Sequence, residues 1–278
     1  MVRGTCSSAR VKHGFNAMAT QSITKYSRLA VEIQPPVARI TFQNPPLNVI
    51  DILMMRELQQ SFAELDARQE ISTVVLEGSE HAFSAGVDVK AHTLDKVGEM
   101  LHEFHTVIRA LVNTRKITIC AVKGACLGGG AEMALVCDMV YTARDAAWGF
   151  PEIKLGCDPP VAAVALPAVV GQKRAEELIL TGRQISGDEA VAIGLANKSA
   201  VAEELNLLVD DTLRELRNLS PAALALAKKA VYAWDAIHFD KGLARAEKIY
   251  LEELMRTQDA QEGINAFLEK REPNWKRE

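Results

Sequence analysis

The chain has 278 residues, 48% hydrophobic and 24% charged, with a formal net charge of −4. This is a globular composition with enough apolar mass for a sizeable core, and it excludes a disordered chain and a nucleic-acid footprint over the whole protein. No apolar run reaches the ~20 residues that span a bilayer, since the longest, 161–170, is interrupted by Pro167.

The amino-terminal segment holds Arg3, Arg10, Lys12, Lys25 and Arg28 with several Ser and Thr, and no acidic residue before Glu32. That composition is similar to an organellar transit peptide. It shows no clear amphipathic period, so residues 1–27 are expected to be a disordered leader or an upstream start, with Met18 a second initiator. A cytoplasmic protein is then expected, with mitochondrial import as the alternative. Residues 37–42 alternate apolar and polar, as a half-buried strand does, and Asn44-Pro45-Pro46 breaks them. A helix is predicted over 52–65 and a buried strand over 72–76, closed by Gly78. Residues 94–111 form the clearest amphipathic helix, with Leu94, Val97, Leu101, Phe104, Ile108 and Leu111 on one face. Further strands are predicted at 117–122, ending at Gly124, and at 139–142. Helices dominate after Lys173: 174–180, one opened by Ser186 with Glu189 in place for a capping box, 203–219, 221–232 with Ser220 as N-cap, 244–257 and 259–270. Strands alternating with helices, followed by helices alone, predict an α/β core with a helical carboxyl-terminal region.

Three segments carry chemistry. Phe83-Ser84-Ala85-Gly86-Val87-Asp88 lies between a strand and a helix, so its turn sits at a strand's carboxyl end. Its small residues let a substrate carbonyl approach the backbone, where the N–H of Val87 can donate; a plain glycine turn is the alternative. Leu127-Gly128-Gly129-Gly130-Ala131-Glu132 places three glycines at a helix start, although glycine costs ~0.5–1 kcal/mol relative to alanine inside an element. Their use is close approach of a ligand to N–H groups at the partly positive end of a helix. Neither GxxxxGK[ST] nor GxGxxG is present, which removes a phosphate loop. The third segment is Gly149-Phe150-Pro151-Glu152-Ile153-Lys154-Leu155-Gly156. Taken singly, Glu132 reads as a helix-capping carboxylate and Glu152 as a surface one. Taken together, two carboxylates beside two aimed N–H groups are the parts that stabilise an enolate and move protons around it.

The cysteines Cys6, Cys120, Cys126, Cys137 and Cys157 form no CxxC pair and read as reduced thiols of an intracellular protein. His81, His92, His102, His105 and His238 show no HExxH-type spacing, so no metal and no redox cofactor is expected. His102 and His105, on the long helix, are expected at the surface or an interface.

These motifs, with Thr181-Gly182-Arg183-Gln184-Ile185-Ser186-Gly187-Asp188-Glu189-Ala190, Gly194-Leu195-Ala196 and the stretch 262–271, resemble the crotonase (enoyl-CoA hydratase/isomerase) superfamily from about Leu29 onward. The resemblance implies an α/β spiral of ββα units over 28–215 and a helical carboxyl-terminal trimerisation region over 216–278, in trimers often paired into hexamers. It implies a coenzyme A thioester that enters as part of the substrate, with no separate cofactor, nucleic acid or membrane partner. The N–H groups of Val87 and Gly129 would form the oxyanion hole. Glu132 and Glu152 match the two catalytic glutamates of the hydratases, which hold a water that attacks the β-carbon before a proton reaches the enolate. Ala85, Lys90, Trp148, Phe150, Asp158, Pro160 and Lys270 are candidates for substrate contact. Of these, Trp148 and Phe150 read equally as core, and Lys270, with Lys276, equally as a solvated tail.

After Gly156, where short-chain hydratases usually have a glycine-rich stretch, this chain has Cys157-Asp158-Pro159-Pro160-Val161-Ala162-Ala163. Two prolines stiffen that wall and remove two N–H donors. Asp158 is either a turn residue before proline or a second acid or base reaching a more distant substrate atom. The Glu-Ile-Lys-Leu-Gly and Pro-Pro-Val-Ala segments resemble the cyclohexa-1,5-diene-1-carbonyl-CoA hydratase branch of anaerobic benzoyl-CoA breakdown. That resemblance implies hydroxyl addition at the β-carbon and a proton delivered to the far end of the dienolate. The alternatives are a linear short-chain enoyl-CoA hydratase, an isomerase or ring hydrolase using Asp158, and a non-enzymatic RNA-binding or scaffolding protein. Net charge and both glutamates argue against the last.

Overall fold

The structure is a computed structural model and describes residues 21–23, 25–232 and 236–275. β1 (Gln21–Ile23), β2 (Leu29–Gln34) and β3 (Val37–Phe42) pair antiparallel, and α1 (Ile52–Ala67) follows, its start capped by Asp51, which accepts from the N–H of Met54. The chain then repeats one unit of long strand, short strand and helix. The first repeat is β4 (Thr73–Glu77), β5 (Ala82–Ser84) and α2 (Val97–Asn113). The second is β6 (Ile117–Val122), β7 (Ala125–Leu127) and α3 (Gly129–Leu135), and the third β8 (Met139–Ala143), β9 (Ala147–Gly149) and α4 (Pro160–Val170).

Each repeat adds one parallel strand to each of two sheets. The long strands lie in the order β1-β2-β3-β4-β6-β8, and the short strands β9-β7-β5 build a second sheet beside them. The chain therefore winds as a spiral between two sheets. Long strands in the middle are covered on both faces, so β6 has no exposed residue and reads as an unbroken apolar run instead of an alternation. α5 (Gln172–Thr181) precedes β10 (Gln184–Ser186), which closes the short sheet antiparallel to β9. α6 (Gly187–Ala192) leads to β11 (Lys198–Ala200), which extends the long sheet parallel to β8. α7 (Leu205–Arg217) lays Leu205, Val209 and Leu213 against Val75, Ile119 and Tyr141 of the long sheet. α8 (Pro221–Tyr232), α9 (Ala236–Glu252) and α10 (Gln258–Glu269) complete the described chain.

The structure corrects several expectations. Part of the expected leader is ordered: β1 pairs with the open edge of β2, and the N–H groups of Ser27 and Arg28 both donate to the Glu57 carboxylate. A three-residue strand is too short to show an alternation in sequence. Residues 1–20, Cys6 and Met18 among them, lie outside the described residues, as do Lys276 and the side chain of His238. The long amphipathic helix begins at Val97, which leaves Leu94 outside it and 59% exposed. The apolar run at 161–170 is the helix α4, with Pro160 at its first position and Pro167 one turn before its end. The helix expected at 244–257 starts at Ala236 and ends at Glu252. Ser186 does accept from the N–H of Glu189, but the Glu189 carboxylate turns to Arg183 at 2.8 Å, so the capping box forms by half. His102 is exposed, whereas His105 is fully buried with Nδ1 3.2 Å from Glu247 Oε2. α9 covers the face of α2 on which His105 sits, and only the tertiary fold brings it there.

One buried ion pair fastens α8 to the end of the long sheet. Lys228 Nζ lies 2.8 Å from Asp138 Oδ2 and donates to the carbonyl of Lys116 at 2.9 Å. The same Asp138 oxygen accepts from the N–H and the hydroxyl of Thr118. Removing one partner strands the other charge away from water. Lys228→Ala is expected to lower the unfolding free energy by about 3 kcal/mol, read as a fall in the urea midpoint.

Candidate active site

Parallel pairing of the three short strands decides where the motifs meet. Ser84 is opposite Cys126, Cys126 opposite Trp148, and Leu127 opposite Gly149. Neighbouring strands lie about 4.8 Å apart, so the segments that leave them at 85–88, 128–132 and 150–152 emerge side by side at one sheet edge.

The first segment is bolted to residues 47–50. Ser84 Oγ donates to the Asn48 carbonyl at 2.7 Å and accepts from the Gly86 N–H at 3.1 Å. The N–H of Ile50 donates to Gly86, and that of Asp88 to Ile50. The N–H groups on either side of Val87 are thus used, while that of Val87 has no acceptor among the described residues. Gly129 opens α3, so its N–H has no partner within the helix and none elsewhere among the described residues. α3 has only seven residues, which makes the aimed N–H itself, more than a long helix dipole, the useful feature.

Two glycines set this geometry. Gly128 has φ 50° and ψ −127°, open in practice to glycine alone, and a Cβ there would lie 2.6 Å from Glu152 Oε1. A Cβ on Gly129 would lie 2.7 Å from Val87 Cγ2. The carboxylate of the third segment therefore rests on the backbone of the second, and the second touches the first.

Glu132 does not cap its own helix. Its Oε1 accepts from the N–H groups of Val161 and Ala162, each at 2.9 Å, in the first turn of α4. Pro160, the first residue of α4, has no N–H, so the first two donors this helix start offers both go to Glu132. Glu152 stands in the short 3₁₀ turn Pro151–Leu155 that follows β9, and its Oε2 is buried with no hydrogen-bond partner among the described residues. Asp158 Oδ1 is in the same condition, while the Tyr250 hydroxyl faces the Cys157 thiol.

These groups line one cavity of about 80 Å³. The structure brings Ala85, Val87, Gly129, Glu132, Glu152, Asp158 and Pro160 together there. It places the other candidates elsewhere. Trp148 is wholly buried and donates its indole N–H to Thr142, Phe150 is buried in the core, and Lys90 and Lys270 are exposed side chains outside the cavity wall. His92, Phe104 and Tyr250 also line the cavity and were not singled out by sequence. Phe104 was legible only as an apolar position of a helix, and Tyr250 carries no local signal at all. A larger cavity of about 650 Å³ near Leu135, Pro167 and Tyr232 holds none of the candidate site residues, so the smaller one is the candidate site. Among the described residues no group of three or more His, Cys, Asp or Glu is placed to hold a metal, and no helix is long and apolar enough to cross a membrane.

Three carboxyl groups in so small a space cannot all ionise freely. Burial pushes Glu132 up to about 7, against the pull of its two N–H donors, and Asp158 adds to the rise. Burial, then the charges of Glu132 and Asp158, hold Glu152 well above the usual carboxylate range. Burial lifts Asp158 to about 6. Separated values let one carboxyl serve as acid while another serves as base.

A family model described as enoyl-CoA hydratase/isomerase matches residues 32–278. The cyclohexa-1,5-dienecarbonyl-CoA hydratase of Thauera aromatica is 35% identical over 239 residues, which are 85% of this chain and 92% of that one. The crystal structure of an enoyl-CoA hydratase from Mycobacterium avium subsp. paratuberculosis superposes with a TM-score of 0.81 at 26% identity, covering 90% of this chain and 99% of that one. An enoyl-CoA hydratase from Bacillus anthracis superposes with a TM-score of 0.73 at 30% identity, covering 90% and 100%.

Raised carboxyl values carry a stability consequence whose sign is fixed. A carboxyl whose pKa is higher folded than unfolded costs nothing below its unfolded value and an increasing amount as pH rises toward its folded value. For Asp158 that window runs from 3.8 to about 6. Asp158→Asn is therefore expected to raise the thermal midpoint at pH 8 and to leave it unmoved near pH 3, as read by calorimetry at the two pH values.

Proposed function

The chain belongs to the enoyl-CoA hydratase/isomerase family, with that family's α/β spiral fold, and from that premise we propose that it adds water to a cyclic α,β-unsaturated thioester, cyclohexa-1,5-diene-1-carbonyl-CoA. The carrying observation is the pair of unpartnered N–H groups at Val87 and Gly129, facing one cavity with Glu132 and Glu152. The substrate is suggested by the likeness to the Thauera aromatica hydratase and by the stiff Asp158-Pro159-Pro160 wall.

The thioester oxygen accepts from the two N–H groups. As water bonds to the β-carbon, the displaced π electrons collect on that oxygen as an enolate. Each preorganised donor lowers this barrier by about 3 kcal/mol. Glu132, held by two N–H donors, is the more readily ionised of the two glutamates and takes the proton from water. Glu152 keeps its proton to higher pH and is the acid beside the oxyanion hole. Lys90 and Lys270, both exposed, are available to the phosphates of coenzyme A outside the cavity. The helical region 216–278 mediates self-association as a trimer or hexamer. This assignment rests on the likeness and on exposed apolar residues of α8, where Leu226 is 64% and Val231 74% exposed. Bacterial relatives favour a cytoplasmic setting. A linear short-chain enoyl-CoA is the second substrate reading, supported by relatives called simply enoyl-CoA hydratase.

Glu132→Gln and Glu152→Gln are each expected to lower hydration kcat by about 100-fold or more with the circular dichroism spectrum intact; near wild-type rates in both would remove the mechanism. A comparison of kcat/KM on crotonyl-CoA and on the cyclic diene decides the acyl group, with preference for the diene expected.

A further inference from the structure

α2 and α9 pack against each other beside the cavity. On α2 the residues Leu101, Phe104, His105 and Ile108 share one face, and on α9 so do Leu243, Ala246, Glu247 and Tyr250, each set with the i, i+3, i+4, i+7 spacing of a helix stripe. All of these but His105 and Glu247 are buried apolar or aromatic side chains. The two exceptions meet, with His105 Nδ1 3.2 Å from Glu247 Oε2. A carboxylate only accepts, so Nδ1 carries the proton of this bond. His105 is fully buried, and its Nε2 has no partner among the described residues. Burial outweighs the pull of Glu247 and holds the ring below its ordinary pKa, which leaves Nε2 bare at neutral pH. Arg109, one turn further along α2, reaches the same seam more loosely, 4.0 Å from Glu247 and 3.9 Å from Asp240.

A leucine at position 105 would complete the stripe and bury no orphaned nitrogen. What the histidine adds is direction. A bond between two side chains fixes the register of one helix on another, whereas apolar faces tolerate sliding. Register matters at this seam because both helices supply walls of the cavity. Phe104 directly precedes His105, Tyr250 lies one turn beyond Glu247, and both line the cavity. Tyr250 is 1% exposed, and its hydroxyl meets the thiol of Cys157 in the wall after Gly156. The cavity they close holds about 80 Å³, well below the ~300–1,000 Å³ of pockets that bury a drug-sized ligand.

We propose that His105 is a positioning residue: bonded to Glu247, it sets the register of α9 on α2 so that Tyr250 closes the cavity, and the site thereby takes thioesters of compact acyl groups and refuses long ones. This inference rests on the hydratase reading above. His105 is not itself part of the cavity wall and acts through Glu247 and Tyr250. Both substrates named under that reading are compact.

The test is kcat/KM of purified full-length protein on trans-dodec-2-enoyl-CoA and on the better of two compact thioesters, crotonyl-CoA and cyclohexa-1,5-diene-1-carbonyl-CoA. Wild-type protein is expected to favour the compact thioester by about 100-fold. Tyr250→Ala opens the wall directly and should shift that ratio roughly tenfold toward the long chain. His105→Leu keeps the volume and loses the bond, and should shift it the same way by about fivefold. His105→Asn keeps a donor near the Nδ1 position and loses volume, and should stay within about twofold of wild type; a side chain that only filled the seam would give the reverse. Glu247→Ala, made from the partly exposed side of the seam, should repeat the His105→Leu shift, so the result does not depend on one variant folding. Combining His105→Leu with Tyr250→Ala should move the ratio no further than Tyr250→Ala alone, because both act on one wall. An unchanged ratio in His105→Leu and Glu247→Ala overturns the proposal. So does a shift in His105→Asn as large as in His105→Leu, additivity in the double variant, or wild-type protein that takes the long chain as readily as the compact one. Each of these leaves the hydratase reading standing. Inactivity of wild-type protein on all three thioesters overturns the hydratase reading and this inference with it.

Discussion

Parallel pairing of β5, β7 and β9 brings to one sheet edge three loops that the chain separates by tens of residues. In a parallel sheet all strands end on the same side, so whatever follows each strand is collected there. The spiral makes this pairing inevitable. Each turn of chain lays one long strand on the large sheet and one short strand on the small one, and the large sheet's apolar packing fixes the register of both. The short strands have three residues each, too few to hold register alone. Their placement is borrowed from β4, β6 and β8, which are buried on both faces.

Around that edge the backbone is arranged so that polar groups are left over on purpose. The N–H groups that flank Val87 are consumed by Ser84 and Ile50, and that of Gly128 by Gly149, so the two that remain stand over the cavity. The same economy applies to α4. Proline at its first position directs the next two donors to Glu132, which steadies one carboxyl while the other two keep unpartnered oxygens. Burying three carboxyl groups opposes folding at neutral pH, and the long sheet and its covering helices offset that cost elsewhere. The return is a cavity in which desolvation separates the carboxyl pKa values, the condition for acid and base to coexist.

Much of this was legible because some residues have few alternative uses. Three glycines at a helix start are unfavourable without a ligand or a close neighbour, and here Gly128 and Gly129 have close neighbours in Glu152 and Val87. Strand 37–42 matched its prediction to the residue, since one face is buried and one is not. The amphipathic face of α2 was right from Val97 onward. The short strands were invisible, because three residues carry no period. α4 was hidden by prolines that break most helices but start this one. His105 was misjudged because its cover, α9, lies more than a hundred residues away in sequence.

The sequence by itself determined the family, enoyl-CoA hydratase/isomerase, and named the residues proposed to donate N–H groups and to move protons. Such information is local, carried by glycines and carboxylates whose intrinsic properties differ from those of other residues. Tertiary structure alone decided which side chains share the cavity. It turned Trp148 and Phe150 into core, left Lys90 and Lys270 outside, made Glu132 the cap of a distant helix, and set Tyr250 and Asp158, the latter with Oδ1 unpaired, beside the two glutamates. Those outcomes depend on packing between segments far apart in the chain, where no residue's own chemistry announces its neighbours.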